Sequence, residues 1–352
     1  MARGDDARTL PEIPTIDAPE GPLQLAMTCP GELRRIVGLV RRVIQGPLLR
    51  WADRYAANSL RHARNPYLAE LDAVALLLGQ PGAYALNFSF ELGCTTACRS
   101  PGNGSAVQLY RTLDWPFRLA RNMVVARHLP PTGAYHNITW PGFLGVLTAV
   151  APNRFAAAIN QPPMAYSFDR LSLGLPIDWM VNRWRVRNAA ALPPAHLLRQ
   201  AFERCNSYSE AKAMLTTTPV CIPVIYTLTG VTPDEGCIIE RRERDALVHT
   251  APACIANHWL TNRFQGRPRG RNSHRRLAAM RAALPSLGRE PLGWLQPPVL
   301  NALTRVAAEL DANTGSLTVQ GWHGTEPQTR VLTLTRLEAD ERPRQAGSQN
   351  DR

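Results

Sequence analysis

The strongest constraint on the fold comes from short, strand-like runs that recur along most of the chain, separated by Pro, Gly and Asn. Such runs are typical of antiparallel sheets, whose strands are joined by tight turns. Strands are predicted at residues 84–90, 106–111, 122–129, 136–139, 144–150, 155–159, 224–229, 236–241, 247–249, 253–256, 317–321 and 329–335. The pattern by itself predicts an α+β fold.

Helices are predicted before and between these strands. In the first of them, Leu33, Ile36, Val37 and Val40 recur at helical spacing, and arginines occupy the remaining face. Helices are predicted from residue 31 to the interruption at Pro47, from there to about residue 62, and at residues 67–78, 177–187, 194–202, 209–215 (N-cap Ser209), 273–284 and 298–310. This order fits two stacked antiparallel sheets with helices on both outer faces.

The composition divides the chain into a core region and polar ends. With 352 residues, of which 45% are hydrophobic, the chain can bury a large core. Residues 1–30, rich in Pro, Asp, Glu and Thr, are predicted to form a disordered arm, and the polar tail at residues 338–352 is also predicted to be disordered. A helical N-terminal segment at residues 31–93 would then precede a main domain at residues 94–337.

The net charge of +12 is carried almost entirely by arginine, since Lys212 is the one lysine. A basic protein can bind nucleic acid, anionic membranes or acidic substrates. The basic residues are spread along the chain instead of being interleaved with aromatic residues, and no nucleic-acid-binding module is recognisable. We therefore predict no nucleic-acid partner.

Seven cysteines, an odd number scattered along the chain, favour free thiols over a disulfide framework. Cys94 and Cys98 have a C-x3-C spacing, but no second Cys/His pair follows at the spacing of a zinc site, so we predict no metal. The first residues contain no apolar leader, and no apolar run approaches the length of a membrane span. These features predict a cytoplasmic protein.

A group of chemically active residues follows the first predicted strand. Gly93, Cys94 and Thr95 precede a Gly- and Ser-rich loop, and the next strand brings back Arg111 and Asp114. Two strands joined by such a loop predict a hairpin, so a thiol, a guanidinium and a carboxylate would meet at one end of a sheet. Taken alone, the cysteine is best explained as a small buried hydrophobic residue, and the other two as a surface ion pair.

Together these residues resemble the cysteine N-terminal-nucleophile (Ntn) hydrolases, in the group of acid ceramidase, N-acylethanolamine acid amidase and the penicillin acyltransferases. The shared motif is a cysteine followed by Thr or Ser, with Arg-x-x-Asp about one hairpin later, here Cys94, Thr95, Arg111 and Asp114. The resemblance extends from about residue 83 to the end. It implies an αββα four-layer sandwich that is preceded in the chain by the helical N-terminal segment, and it implies no cofactor. It also implies self-cleavage between Gly93 and Cys94 into paired α and β subunits.

In such an enzyme the thiol of Cys94 would be the nucleophile. A thiol attacks as the thiolate, and the α-amine released by cleavage has an ordinary pKa of about 7.7 to 8.0, so it can accept the thiol proton near neutral pH. By the resemblance, Asp114 would hold this amine and Arg111 would lower the pKa of the thiol. Gly93 would permit the strained backbone that attack on its carbonyl requires.

Three later segments also resemble the family. Asn160 and Gln161 end a strand where the family has Asn or Asp followed by Glu, and an amide can donate a hydrogen bond but cannot act as a carboxylate. Asn257 resembles the family's Thr-Asn motif and would donate to the oxyanion, unless it only turns a strand into a loop. Arg241 and Arg276 lie in family-like motifs and would fix loops around the site or face an acidic leaving group. A solvated helix face explains Arg276 equally well.

Ligand pockets are mostly apolar, so apolar residues near the motifs are candidates for binding an acyl group. We select Trp140, Phe143 and Met164 as substrate-binding candidates, although most aromatic residues in such a stretch belong to a core. The basic amphipathic segment at residues 33–51 is a candidate for peripheral contact with an anionic membrane. The alternative is that its apolar stripe packs on the main domain.

The residues and the resemblance together predict a self-processing cysteine amidase. It would hydrolyse a linear, non-peptide N-acyl amide, a small molecule with an apolar acyl group, through an acyl-enzyme on Cys94. One alternative is an acyltransferase of secondary metabolism, which moves the acyl group to an amine acceptor. Another is a catalytically silent relative that binds lipid or a protein partner, with Gln161 marking the loss of processing.

Overall fold

The computed structural model describes residues 10–43, 46–88, 93–102, 104–168 and 171–335. The helices are α1 Pro22–Thr28, α2 Pro30–Val43, α3 Gly46–His62, α4 Leu68–Leu78, α5 Ala83–Asn87, α6 Leu175–Asn188, α7 Pro194–Arg204, α8 Tyr208–Thr217 and α9 Ser273–Ala283. The strands are β1 Thr15–Asp17, β2 Gly93–Arg99, β3 Gln108–Asp114, β4 Val124–His128, β5 Tyr135–Thr139, β6 Thr148–Ala151, β7 Phe155–Asn160, β8 Val224–Thr229, β9 Gly236–Arg241, β10 Ala246–Thr250, β11 Ala253–Ile255, β12 Thr304–Asp311, β13 Ser316–His323, β14 Glu326–Pro327 and β15 Leu332–Leu334. Within these ranges, no helix combines the length and apolar character needed to cross a membrane.

Two mainly antiparallel sheets stack face to face in the centre of the molecule. The larger has the strand order β1-β4-β5-β6-β7-β8-β9-β10, and the smaller has the order β11-β2-β3-β12-β13-β14, with β15 also paired to β13. Across the interface, β2 packs on β7, β8 and β9, and apolar side chains from both sheets form one core. Helices α7 and α8 pack on the larger sheet and α9 packs on the smaller one. The predicted αββα arrangement is therefore confirmed.

The helical N-terminal segment packs on the main domain through the apolar stripe of α2. Leu33 and Val37 are buried in a cluster with Leu144. The approach is close, because a Cβ added at Gly142 would overlap the Leu33 side chain. In the segment at residues 33–51, the apolar stripe of α2 therefore packs on the main domain. This is the alternative to the membrane contact considered above.

The strand predicted at residues 84–90 is wrong for its first part, where the chain forms α5; residues 89–92 lie outside the described residues. Two alanines and a leucine in this short run favour a helix. Asn87 fastens the end of α5 to the main domain, since its Nδ2 donates to the carbonyl of Gly142 at 2.8 Å and its Oδ1 accepts from the N–H of Leu144 at 2.6 Å.

The helix predicted at residues 298–310 is also wrong, because β12 begins at residue 304. This strand lies between β3 and β13 in the middle of its sheet. Val306, Ala307 and Ala308 are all buried, so the run lacks the alternation that marks a strand with one exposed face. Helix α8 likewise begins earlier than predicted, with Ser207 as its N-cap, accepting from the N–H of Glu210.

Part of the arm predicted to be disordered at residues 1–30 is ordered. It forms β1, which pairs in parallel with β4, and α1. Ile13, Ala18 and Leu25 are buried, so a few apolar residues fix a segment whose overall composition is that of a disordered arm. Residues 1–9 and the tail at residues 338–352 lie outside the described residues.

Three buried histidines are held in the neutral form. His196 Nδ1 lies 2.7 Å from Asn65 Nδ2 and can only accept from it, because Asn65 Oδ1 already accepts from the N–H of Tyr67. Burial lowers the pKa of His196 to about 3. Burial likewise lowers the pKa values of His128 and His136, on the neighbouring strands β4 and β5, to about 4.

We expect the free energy of unfolding to fall as the pH is lowered from about 6.5, the ordinary pKa of histidine, to about 4. In that range the unfolded chain binds protons that the folded histidines do not, so stability rises with pH, by at most about 1.4 kcal/mol per pH unit for each group. Urea titrations at several pH values measure the slope. It should become shallower in His196→Gln and stay unchanged in His62→Asn, an exposed control; a flat profile in the wild type would contradict the prediction.

Leu33→Ala should lower the free energy of unfolding by about 2 to 5 kcal/mol, because it leaves a cavity between α2 and the main domain. The matched control is Leu48→Ala, which removes the same atoms from a side chain that is 56% exposed and should cost less than about 1 kcal/mol. Chemical denaturation followed by circular dichroism compares the two. Equal losses would show that the stripe of α2 is not a packed surface.

Candidate active site

The predicted hairpin forms, but it is displaced along the chain. It consists of β2 and β3, in the register Gly93↔Asp114 and Thr96↔Arg111, so Cys94 lies within the first strand instead of after it. Because side chains alternate along a strand, Cys94 and Arg111 point between the two sheets, whereas Asp114 points to the opposite face, toward α9. The candidate residues are therefore divided between two faces of one hairpin.

On the inner face, the Cys94 thiol meets the guanidinium of Arg111. Arg111 Nη2 donates to Sγ at 3.0 Å and to the carbonyl of Ile159 at 3.0 Å. Its Nη1 donates to the carbonyl of Leu147 at 2.5 Å and to Thr148 Oγ1. Arg111 thus joins the hairpin to β6 and β7 of the facing sheet and places a positive charge beside the sulfur.

Opposing effects act on the pKa of the Cys94 thiol. Burial raises this pKa and is the largest effect; the charge of Arg111 lowers it, and that of Asp114 raises it. Burial outweighs the arginine, so the thiol is protonated in the intact chain. In agreement, Sγ lies 3.4 Å from the carbonyl oxygen of Ile159, to which the S–H can donate. The folded, intact chain therefore contains a buried thiol in its neutral form.

On the opposite face, the Asp114 carboxylate is buried among polar partners. It accepts hydrogen bonds from Asn301 Nδ2 at 2.8 Å and Thr304 Oγ1 at 3.0 Å, and Arg276 Nη1 lies 3.5 Å away. Burial raises the pKa of Asp114, and Arg276 and the two hydrogen bonds counteract this rise. Arg276, a candidate from the sequence, is thus part of the site and not of a solvated helix face.

Arg276 and Asn257 together hold the backbone of Cys94. Arg276 Nη1 donates to the carbonyl of Cys94 at 2.5 Å and to Thr95 Oγ1 at 2.7 Å, and its Nη2 donates to Asn257 Oδ1 at 2.6 Å. The same Oδ1 accepts from the N–H of Cys94 at 2.9 Å, while Asn257 Nδ2 donates to the carbonyl of Gln161 at 2.7 Å. In this chain Asn257 therefore contacts the nitrogen of the Gly93–Cys94 peptide bond.

Gly93 lies in close contact with Asp114. Its φ is not in the left-handed region, but a Cβ at this position would lie 3.0 Å from Asp114 Cβ. A larger residue would therefore require the Asp114 side chain to shift slightly. The expectation that Gly93 supplies strained backbone is replaced by a close approach between paired strands.

Ser273 and His258 support Asn257, a role that sequence reasoning did not assign. Ser273 Oγ accepts from the N–H of Asn257 at 2.8 Å and lies 2.7 Å from His258 Nδ1, to which its hydroxyl can donate. The ring of His258 packs on His274, and burial, His274 and Arg276 lower the pKa of His258 to about 4. A serine opening a helix is a recognisable signal, but it does not reveal a partner sixteen residues earlier.

Asn160 and Gln161 lie where β7 meets the hairpin. Asn160 Nδ2 donates to the carbonyl of Ala256 at 3.1 Å, and its Oδ1 accepts from Thr96 Oγ1 at 3.3 Å, so it connects the two sheets. Gln161 provides the carbonyl that accepts from Asn257. Both residues therefore lie beside the candidate site, with Asn160 in a bridging position.

A small cleft opens next to Gly93, on the Asp114 side of the hairpin. Its volume is about 140 Å³. Its lining includes Gly93, Asp114, Gln161, Arg269, Arg271 and Asn301. The Cys94 sulfur is fully buried and lies on the other face of the hairpin from this cleft.

The other candidates have partners outside the hydrogen-bond network around Cys94. Arg241, the last residue of β9, donates to the carbonyl of Thr218 at 2.7 Å. Trp140 and Phe143 belong to the central core, where Trp140 Nε1 donates to a backbone carbonyl at 2.9 Å. Met164 is buried and pairs through its backbone with residue 267. In the described residues no group of three or more His, Cys, Asp or Glu side chains could hold a metal ion.

Comparisons with known proteins agree with this arrangement. No family model matches the chain. It is 25% identical over 233 residues to acid ceramidase of Mus musculus, covering 60% of this chain and 57% of that protein. It is 23% identical over 240 residues to acid ceramidase of Homo sapiens, covering 61% and 58%. The chain thus spans a little over half the length of these curated relatives.

The chain also has weak similarity to solved structures. One is an N-acylethanolamine-hydrolyzing acid amidase ortholog of Caenorhabditis elegans, with a TM-score of 0.46 and 17% identity, covering 63% of this chain and 93% of that one. Another is a mutant conjugated bile acid hydrolase of Clostridium perfringens, with a TM-score of 0.35 and 9% identity, covering 70% and 97%.

The chain is therefore similar in sequence to acid ceramidases, and its two stacked sheets carry Cys94 on a central hairpin, where the resemblance to the cysteine Ntn hydrolases places it.

Ser273→Ala should lower the free energy of unfolding by about 1 to 3 kcal/mol, because the buried N–H of Asn257 loses its acceptor. Ser286→Ala is the matched control, since the Ser286 hydroxyl is exposed and bonds only a turn carbonyl; it should change stability by less than about 0.5 kcal/mol. Denaturant titration measures both. Similar small effects in the two variants would mean that the Ser273 contact does not hold Asn257.

Proposed function

We propose that the chain is a self-processing cysteine amidase that hydrolyses a linear N-acyl amide through an acyl-enzyme on Cys94. The observation that carries the proposal is the double contact of one residue: the Cys94 thiol bonds Arg111, and the N–H of the same residue bonds Asn257 Oδ1. A nucleophile and the nitrogen of the bond to be cut are thus held together, a few ångströms from the buried Asp114–Arg276 pair.

Self-cleavage would begin with attack of Cys94 Sγ on the carbonyl carbon of Gly93. The S–C bond forms, the C–N bond to Cys94 breaks, and the thiol proton goes to the departing nitrogen. Water then hydrolyses the thioester, giving a carboxylate on Gly93 and a thiol beside a free α-amine. Asn257 would orient the departing nitrogen. The side chain of Gln161 is an amide, so it would not act as a general acid or base in this step.

Cleavage would also change the ionisation and access of the thiol. In the intact chain burial raises the thiol pKa and keeps the thiol neutral, whereas the new α-amine, with an ordinary pKa of about 7.7 to 8.0, can accept its proton. Because Gly93 lines the cleft, a cut between Gly93 and Cys94 would leave the new α-amine at the edge of the cleft. Asp114 would then hold the protonated amine.

In turnover, the Cys94 thiolate would attack the carbonyl of the amide substrate. Asn257 Nδ2 and a backbone N–H would stabilise the oxyanion, a contact worth about 2.7 to 4 kcal/mol in acyl transfer. The α-amine would return its proton to the leaving amine, and water would hydrolyse the acyl-enzyme. No metal or organic cofactor takes part in this scheme.

An exposed apolar surface around α6 supports the proposal that the substrate carries an apolar acyl group. Large apolar side chains are exposed around α6: Phe168, Leu171, Leu173, Leu175, Ile177, Trp179, Met180 and Trp184. Asp178 fixes this segment and accepts from Arg267 Nη2 at 3.1 Å. Arg267 lies two residues before Arg269, which lines the cleft. A short stretch of chain therefore connects the apolar surface to the candidate site. This surface replaces Trp140 and Phe143 as the candidate acyl contact.

The two pieces would remain one complex after the cut. The pairing of β1 with β4 supports this, as do the packing of Leu33 on Leu144 and the ion pair of Arg199 with Glu70 at 2.8 Å. The free state of all seven cysteines, which lie within the described ranges, supports a cytoplasmic location.

Intact-mass measurement of the purified protein should show two fragments that split between Gly93 and Cys94. Cys94→Ala should stay in one piece because it lacks the nucleophile. Cys98→Ala, which alters another buried cysteine of the same strand, should still split. A wild-type protein that stays intact yet hydrolyses N-acyl amides would contradict the α-amine as the base.

Two alternatives have distinct outcomes. An acyltransferase would release an acylated amine when an acceptor is added, and the corresponding fatty acid without one. A silent lipid- or partner-binding relative would show no selective, saturable labelling of Cys94 by an electrophilic acyl probe.

A further inference from the structure

The outward face of helix α6 carries a stripe of large apolar side chains. Ile177, Met180 and Trp184 are 39%, 59% and 66% exposed, and their spacing of three and four residues places them on one side of the helix. The buried residues of α6 are Asp178 and Val186. A surface helix normally keeps its charges in solvent and packs its apolar stripe on the core. In α6 the carboxylate is turned inward and the α6 stripe, these three residues, is turned outward.

Hydrogen bonds on the inner side of α6 fix this orientation. Asp178 Oδ1 accepts from the N–H of Ser167 at 3.0 Å, and Asn182 Nδ2 donates to the carbonyl of Ala165 at 2.6 Å. A rotation of α6 that buried the stripe would break these contacts and leave buried polar groups without partners, which is costly. The stripe is therefore held at the surface. Contiguous apolar surface that stays exposed marks a site of interaction with another molecule.

Helix α3 adds a further exposed tryptophan beside α6. The two helices pack on each other, and the hydroxyl of Tyr55 on α3 donates to the carbonyl of Arg183 on α6. Trp51 is 45% exposed and stacks on Tyr55, with the ring centroids 5.6 Å apart. Trp51 therefore lies next to the contact between the two helices. Tryptophan is enriched where proteins meet the headgroup region of a membrane, because its ring is largely apolar and its N–H is polar.

The exposed charges of these two helices are positive. Helices α3 and α6 each contain three arginines and one aspartate. Both carboxylates are used inside the protein, because Asp178 is buried and Asp53 Oδ1 accepts from the N–H of Ala85 at 2.9 Å. Arg54 on α3 and Arg187 on α6 are exposed. The surface thus combines apolar side chains with cations, which favours an anionic partner that also has an apolar interior.

We propose that the face formed by the α6 stripe and Trp51 docks on the surface of an anionic lipid membrane. The inference goes beyond the proposed function, because membrane contact requires no catalysis. The apolar side chains would enter the boundary between headgroups and acyl chains, and the arginines would bind lipid phosphates. A second copy of the chain docked through the same face would bring these arginines together, which like-charge repulsion disfavours. The acyl contact proposed above is compatible with this docking, since an amide with a long apolar chain would itself be held in the membrane.

The test is co-sedimentation of the full chain with lipid vesicles. The wild type should bind vesicles of phosphatidylcholine with about one third phosphatidylglycerol about tenfold more strongly than vesicles of phosphatidylcholine alone, and this difference should shrink in about 1 M salt. Met180→Glu should lower binding to the anionic vesicles about tenfold, because it places a charge in the apolar stripe. Met27→Glu is the matched control, since Met27 lies on α1 and is 63% exposed; it should bind as the wild type does.

A second pair of variants tests the charge. Arg187→Gln should lower binding to the anionic vesicles about fivefold and leave binding to the neutral vesicles unchanged. Arg289→Gln, which removes an exposed arginine that follows α9, should change neither.

The inference is overturned if the wild type binds neither kind of vesicle, or if Met180→Glu binds as well as the wild type. It is also overturned if analytical ultracentrifugation shows a wild-type dimer that Met180→Glu converts to a monomer, because a second copy would then cover the face. None of these results bears on the amidase function, which is tested by cleavage and labelling at Cys94.

Discussion

The buried guanidinium of Arg276 is the contact on which the candidate site depends. It is 1% exposed and donates to the carbonyl of Cys94, to Asn257 Oδ1 and to the carbonyl of Arg271, beside the carboxylate of Asp114. A buried charge is costly unless it is paired and hydrogen-bonded, and here each member of the pair compensates the other. Helix α9, the hairpin and the loop after β11 are therefore fixed relative to one another by one side chain.

A second arginine acts on the other face of the same hairpin, with a different effect. Arg111 binds the carbonyls of Leu147 and Ile159 in the facing sheet and places its charge at the Cys94 sulfur. Its charge lowers the pKa of the thiol, but burial raises that pKa more. The packing that buries Cys94 therefore also keeps its thiol in the neutral form.

The sequence predicted the parts of the fold and site that depend on local pattern. Cys94 contacts Arg111, 17 residues later, because a hairpin joins their strands, and Asp114 lies on the other face of the same hairpin. This hairpin is visible in the chain. Ser273, Asn301 and the arginines of the cleft wall were not predicted, because distant segments bring them to the site. The aromatic candidates for the acyl contact were core residues, since composition does not distinguish a core from a pocket. Strand β12 was mistaken for a helix because both of its faces are covered.

Strand β1 occupies the outer edge of the larger sheet, next to β4. The segment before β1 is held to the C-terminal part of the described chain by the ion pair of Arg330 with Glu12 at 3.0 Å. An uncovered edge strand offers its backbone groups to other molecules. A recombinant chain that starts at Cys94 would lack this strand and expose the edge of β4. Such a shortened product would tend to aggregate, so well-behaved material would require the segment that carries β1.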